Sequence, residues 1–139
     1  MARDILKVPR LGKPIGSYSY GARVKGGTLL LMAGVVPIDD NGKLVGKGDL
    51  QKQIAQVVHN LKVDLEAAGA RLEDVVQMHT YTTDMDGMVK LSKWRCDNFP
   101  ELWGKEPGDE TAAPSTLIGI KRLGWPEFKL EIEVVAHVP

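Results

Sequence analysis

The spacing of hydrophobic and polar positions along the chain changes period several times, and each change marks an element. Over residues 17–24 apolar and polar positions alternate loosely, the period of a strand, and Lys25-Gly26-Gly27 closes the run as a turn. Residues 28–36 are apolar at odd and even positions alike, the pattern of a strand covered on both faces. Asp39-Asp40-Asn41-Gly42 reads as a turn and 43–48 as a loop. The period then becomes helical: Leu50, Ile54, Val57, Val58, Leu61 and Leu65 fall on one stripe, with Asp49 placed as N-cap and Gly69 as the C-terminal stop. Residues 75–83, rich in Val, Thr and Tyr, predict another strand. Met88, Leu91 and Trp94 mark one face of a second helix that ends before Pro100. Residues 101–110, with Gly104, Pro107 and Gly108, read as a surface loop. Two last strands are expected over 115–122 and 128–137, joined around Gly124-Trp125-Pro126.

The resulting order, β-β-α-β-α-β-β, is an α+β layer in which two helices cover one face of a mixed sheet. The other face needs a partner. Because the second strand is apolar on both sides, that face is expected to pack against other copies of the chain, giving a homo-oligomer with clefts between subunits.

Length and composition narrow the function. With 139 residues, 43% hydrophobic and 26% charged, residues 1–139 make a single globular domain. Lys plus Arg and Asp plus Glu are 18 each, so the net charge is zero, which argues against a dedicated binder of nucleic acid or of an anionic membrane. One cysteine, Cys96, excludes an internal disulfide framework and a cysteine metal cluster and points to a reducing compartment. Neither a signal-peptide core nor an apolar run of membrane-spanning length is visible, so a cytoplasmic protein is expected.

Most classes of chemistry lack their motif. His59, His79 and His137 have no metal-ligand spacing among them and read as solvated or core histidines, so no metal is expected. Cys96 reads as a small buried hydrophobe before it reads as a nucleophile. No phosphate-cradling glycine loop and no nucleophile elbow occur, so neither a nucleotide cofactor nor a hydrolase triad is expected. Lys93-Trp94-Arg95 is one short basic cluster, the usual make-up of a solvated helix face. The last strand is the most informative segment. Alternation turns Leu130, Ile132, Val134 and Ala136 to the helices, and Glu131, Glu133 and Val135 to the cleft side. Each carboxylate is either a solvated or ion-paired charge or a group that binds and activates water.

Several segments together resemble the RidA/YjgF family of small trimeric proteins, over nearly the whole chain. Ile15-Gly16-Ser17-Tyr18 is similar to the family's I-G-P-Y, and Ala33-Gly34-Val35-Val36-Pro37 to S-G-Q-I-P. Asn60 with Ala67-Ala68-Gly69 matches its helix motif, Thr83-Asp84 its T-D, and residues 130–136 its closing L-E-I-E-A-I-A. The resemblance implies a chorismate-mutase-like α+β fold, a homotrimer, and a small-molecule pocket at each subunit interface. The implied activity is hydrolysis of reactive enamines and imines to a carbonyl compound and ammonia, without a cofactor. Mapped by motif, the water-positioning glutamate of the last strand is Glu131, the N-terminal tyrosine is Tyr18, and Gly34 is a substrate-contacting position.

One family residue is missing. In active members an arginine of P-x-R-S-C grips the substrate carboxylate; here alignment through Arg122-Leu123 places Ser115 at that position, and anchoring on Pro114 places Thr116 there. The family cysteine becomes Leu117 or Ile118, and Ser17, Ala33 and Val35 replace proline, serine and glutamine. A hydroxyl cannot supply a guanidinium fork, a charge-assisted contact of about 1.5–3 kcal/mol. The expectation is a deaminase for an enamine, imine or related metabolite other than the usual 2-imino acid. Glu131 would orient water, Tyr18 would line the pocket, Ser115 and Thr116 would hydrogen-bond the substrate, and backbone N–H groups near Leu117 would receive developing charge. The alternative is a non-catalytic small-molecule-binding or interaction protein on the same scaffold; a ribonuclease, which the zero charge disfavours, comes third.

Overall fold

The computed structural model describes residues 3–139. Its centre is a four-stranded sheet built from β3 (Thr28–Leu31), β4 (Val75–Thr82), β5 (Ser115–Gly119) and β6 (Leu130–Val138), in the spatial order β3-β6-β4-β5. β6 runs antiparallel to both β3 and β4, and β4 runs parallel to β5, so the sheet is mixed. A separate two-stranded ribbon pairs β1 (Asp4–Ile5) with β2 (Ala22–Arg23).

Helix α1 (Leu50–Ala67) forms where the 3.6-residue period begins, and the Asp49 side chain accepts from the Lys52 N–H at 3.0 Å to cap it. All six stripe residues are buried. They join Leu130, Ile132, Val134 and Ala136 of β6 and Met78 of β4 in one core, each of the larger apolar side chains contributing about 1.5–3 kcal/mol by leaving water. Gly69 ends the helical segment at φ +78°, a conformation that glycine adopts without strain.

Two residues of α1 that the apolar pattern does not mark fix the geometry around it. Gln53 is fully buried and fully satisfied: its amide donates to the Gly46 and Glu127 carbonyls, and its oxygen accepts from the Lys129 N–H at 2.8 Å. It ties the start of α1 to the entrance of β6. Asn60 donates to the carbonyls of Val36 at 3.0 Å and Ile38 at 2.8 Å, pinning the segment that follows Gly34 against the helix.

Four expectations are corrected. The strand expected over 17–24 shrinks to β2, because residues 17–20 lie along the end of β5, where Ser19 forms a parallel bridge to Pro114 and Ser17 and Ser19 are buried. The strand over 28–36 leaves its ladder after Met32 and returns at Val35, whose N–H and C=O both bond Ile132. The second helix is broken at Leu91 into α2 (Met85–Lys90) and α3 (Ser92–Asn98), and the expected loop begins with a helical turn, α4 (Pro100–Trp103). Proline fits the first position of a helix as well as the position past its end. Burial of Leu102 and Trp103 holds that turn in place.

The helices leave one face of the sheet open, and β3 shows it most clearly: Leu30 packs on the core, whereas Leu29 and Leu31 are 50% and 78% exposed.

Candidate functional site

The open face carries the chain's polar cluster. Strand alternation places Glu131 and Glu133 of β6 there, beside His79 and Tyr81 of β4 and Thr116 of β5. Pairing sets them in rows: Thr116, His79 and Glu133 form one, and Ile118, Tyr81 and Glu131 the next. The Tyr81 hydroxyl crosses its own row and donates to Glu133 Oε1 at 2.7 Å, and His79 Nδ1 lies 3.4 Å from the same oxygen. The hydrogen bond to Glu133, then desolvation, then the nearby charges of Glu133 and Glu131 raise the Tyr81 pKa above its ordinary value of 10.0, so the phenol stays a donor at neutral pH.

Glu133 is therefore engaged within the chain. Glu131 is not: among the described residues its carboxylate takes part in no hydrogen bond. It lies instead against the backbone of Gly34, where a Cβ would stand 2.0 Å from Oε2, so only glycine leaves room for the carboxylate in this position. Gly34 lies within the stretch between Met32 and Val35 where the chain departs from the β6 ladder.

The other candidates gather elsewhere. Tyr18, Ser115, Thr116 and Leu117 line a cavity of about 460 Å³ at the β5 edge of the sheet, between residues 15–18 and helices α2 and α3. Alternation separates the two hydroxyls: Thr116 is exposed and lies on the open face, while Ser115 is half-buried on the helix side with Leu117. The structure thus brings Glu131 to Gly34, and Tyr18 to the β5 hydroxyls, but does not join the two groups in one cavity. β4 stands between β6 and β5, which sets Glu131 and β5 about 10 Å apart by strand spacing alone. A larger cavity of about 830 Å³, lined by Arg3, Glu73, Glu101 and Asp109 among others, holds none of the sequence-predicted residues.

Sequence reasoning missed two features of the site. The His79–Tyr81–Glu133 contact had a signal, the alternation of Gln77, His79 and Tyr81 along β4. Arg95 had none: read as part of a solvated helix face, it is buried beneath the β5 cavity, with its guanidinium 5.1 Å from the ring centre of Trp103. Cys96 beside it is buried, as its residue type suggests, and makes sulfur contacts with Ser17 Oγ at 3.3 Å and the Trp103 carbonyl at 3.4 Å. His59 is exposed on α1, and His137 bonds the Gly26 carbonyl at 2.8 Å.

Comparison with known proteins now decides the family. Residues 10–138 match the family model described as Endoribonuclease L-PSP, and a RutC family protein of Pyrococcus horikoshii is 36% identical over 135 residues, 97% of this chain and 98% of the relative. A crystal structure of YyfB from Yersinia pestis, described as a protein of unknown function of the conserved Rid family, superposes with a TM-score of 0.82 at 33% identity, covering 99% of this chain and 100% of that one. The chain belongs to the RidA/YjgF superfamily. TdcF of E. coli, solved with bound serine, is similar at a TM-score of 0.66 and 25% identity over 97% of this chain and 98% of TdcF. The mixed sheet with helices on one face is the fold of this superfamily. Among the described residues no helix is long and apolar enough to cross a membrane.

Proposed function

We propose that this RidA/YjgF chain assembles as a homotrimer through its open sheet face and hydrolyses a small enamine, imine or related metabolite in a pocket completed between subunits. The observation that carries the reading is the division of labour between two neighbouring carboxylates. Glu133 is held by Tyr81 and His79, while Glu131 is left with its oxygens free beside the Gly34 backbone. A carboxylate in that state accepts a proton from water as the water attacks the C=N carbon; the tetrahedral adduct then collapses to a carbonyl compound and releases ammonia. No cofactor or metal takes part in this account. Ser115 and Thr116 hydrogen-bond the substrate, Tyr18 forms a wall, and backbone N–H groups around Leu117 meet developing negative charge.

Assembly is argued from the same face. Glu131 and the β5 hydroxyls belong to separate regions of one chain, so a second copy is what closes a site around both. Leu29 and Leu31 supply the apolar contact area. The lone buried Cys96 fits a reducing, cytoplasmic setting. A second reading, a binding protein without turnover, is favoured by the hydroxyls standing where active relatives carry arginine, and TdcF with serine is a relative with a small ligand in place.

Glu131→Gln separates the two. Substrates are first sought by thermal shift over a metabolite set, and ammonia release is then compared for wild type and variant. A hydrolase loses about 10² or more in turnover with its assembly and Tm nearly unchanged, because the amide keeps the shape and loses the basicity. A binding protein releases no ammonia in either form. Equal ammonia release from both forms removes Glu131 from the mechanism.

A further inference from the structure

Arg95 is only 6% exposed, yet its charge has no counter-ion: among the described residues no carboxylate lies within ion-pair distance. Its Nη2 donates to the Met88 carbonyl at 3.0 Å and to Ser92 Oγ at 3.2 Å; Nε and Nη1 bond nothing among the described residues. The face of Trp103 offers a quadrupole but no compensating charge. Burial lowers the guanidinium pKa, although arginine remains protonated throughout the neutral range. An uncompensated buried cation is costly to maintain, and one lining a cavity marks a candidate site for an anion. Thr80 Oγ1, buried and also without a partner among the described residues, lines the same cavity of about 460 Å³. The rest of the wall combines apolar side chains, Trp103, Leu117 and Val89 among them, with the hydroxyl-bearing Tyr18, Ser115 and Thr116.

We propose that this cavity binds a small carboxylate with an apolar body, held by Arg95 from α3 rather than by any residue of β5, with Thr80 and Ser115 as its neutral hydrogen-bonding partners. The proposal rests on the reading above only in taking this region as the small-molecule site. It gives the ligand an acid group and turns that group toward the helices. The substitution of arginine by a hydroxyl on β5 then moves the cationic anchor and does not abolish it.

Calorimetry and thermal shift on the full chain test this with acetate, 2-oxobutanoate and benzoate, and with benzamide as the uncharged counterpart of benzoate. At least one carboxylate is expected to bind and raise Tm, benzoate by at least about tenfold over benzamide if it is that one. Arg95→Met keeps the length and removes the charge; it is expected to lose carboxylate binding by at least about tenfold while holding or raising Tm in anion-poor buffer, since it removes an uncompensated charge. A merely structural arginine would instead lower Tm and leave any ligand response in place. Should Arg95→Met not fold, Ser115→Asp decides: a carboxylate built into the cavity pairs with Arg95 and is expected to abolish binding of the free acids. No response of wild type to any of the three acids, or unchanged binding in the folded variants, overturns the proposal. Because binding alone is read, an absence of ammonia release does not touch it.

Discussion

Tyr81 decides the character of the carboxylates on the open face. By donating to Glu133 instead of to Glu131, its partner in register, it commits one carboxylate and releases the other. The folded-state phenol pKa is raised, so this contact stabilises the fold below the unfolded value of about 10 and is lost as pH climbs through the folded value. Alkaline titration of tyrosinate absorbance should show a component ionising later than an ordinary tyrosine, and Tyr81→Phe should remove that component. If the late component survives in Tyr81→Phe, the bond to Glu133 does not control the phenol. Gly34 acts at the same scale by subtraction, since any side chain there collides with the Glu131 carboxylate.

Among the elements, α1 does more than cover the sheet. Its apolar stripe, which supplies core packing, was legible from spacing, as were β4, β5, β6 and the facing of Glu131 and Glu133, because burial on one side imposes a period on the residues. Gln53 and Asn60 were not legible as structural ties, since a satisfied polar residue breaks the apolar pattern without announcing its partner. Arg95 was hidden for the same reason, and the break at Leu91 because Met88, Leu91 and Trp94 keep a helical spacing across it. The interruption of β3 was not legible because Glu131, against which Gly34 lies there, is about 100 positions away in sequence. Asn60 offers a direct check. Asn60→Ala leaves the Val36 and Ile38 carbonyls without this donor, although Ile38 retains the Gln56 amide at 3.2 Å. A loss of about 1–3 kcal/mol in denaturant stability is expected. A change within about 0.5 kcal/mol, the range of an ordinary surface substitution, would show that water replaces the amide at no cost.

For the whole molecule, the open sheet face is where the proposed assembly and the proposed chemistry meet. A single chain leaves Leu31 78% exposed next to Val135 on β6, two strands from Tyr81, so apolar surface and the carboxylate cluster share one face. In the proposed trimer the leucines would be buried and each copy's Glu131 would face another copy's β5 edge, which one chain cannot do for itself. Each Leu31 so buried contributes about 1.5–3 kcal/mol to association. Wild type at micromolar concentration is therefore expected to scatter light as three chains of 15.2 kDa. Leu31→Arg, which places like charges at the centre of that contact, is expected to run as one chain. The variant should keep its far-UV spectrum, because Leu31 stands outside the hydrophobic core. If the site is shared between copies, ammonia release should fall with the trimer even though every candidate residue is intact in each chain. Dissociated Leu31→Arg that still turns over substrate would place the whole site within a single chain, and a wild type that scatters as a monomer would remove the assembly on which the shared pocket depends.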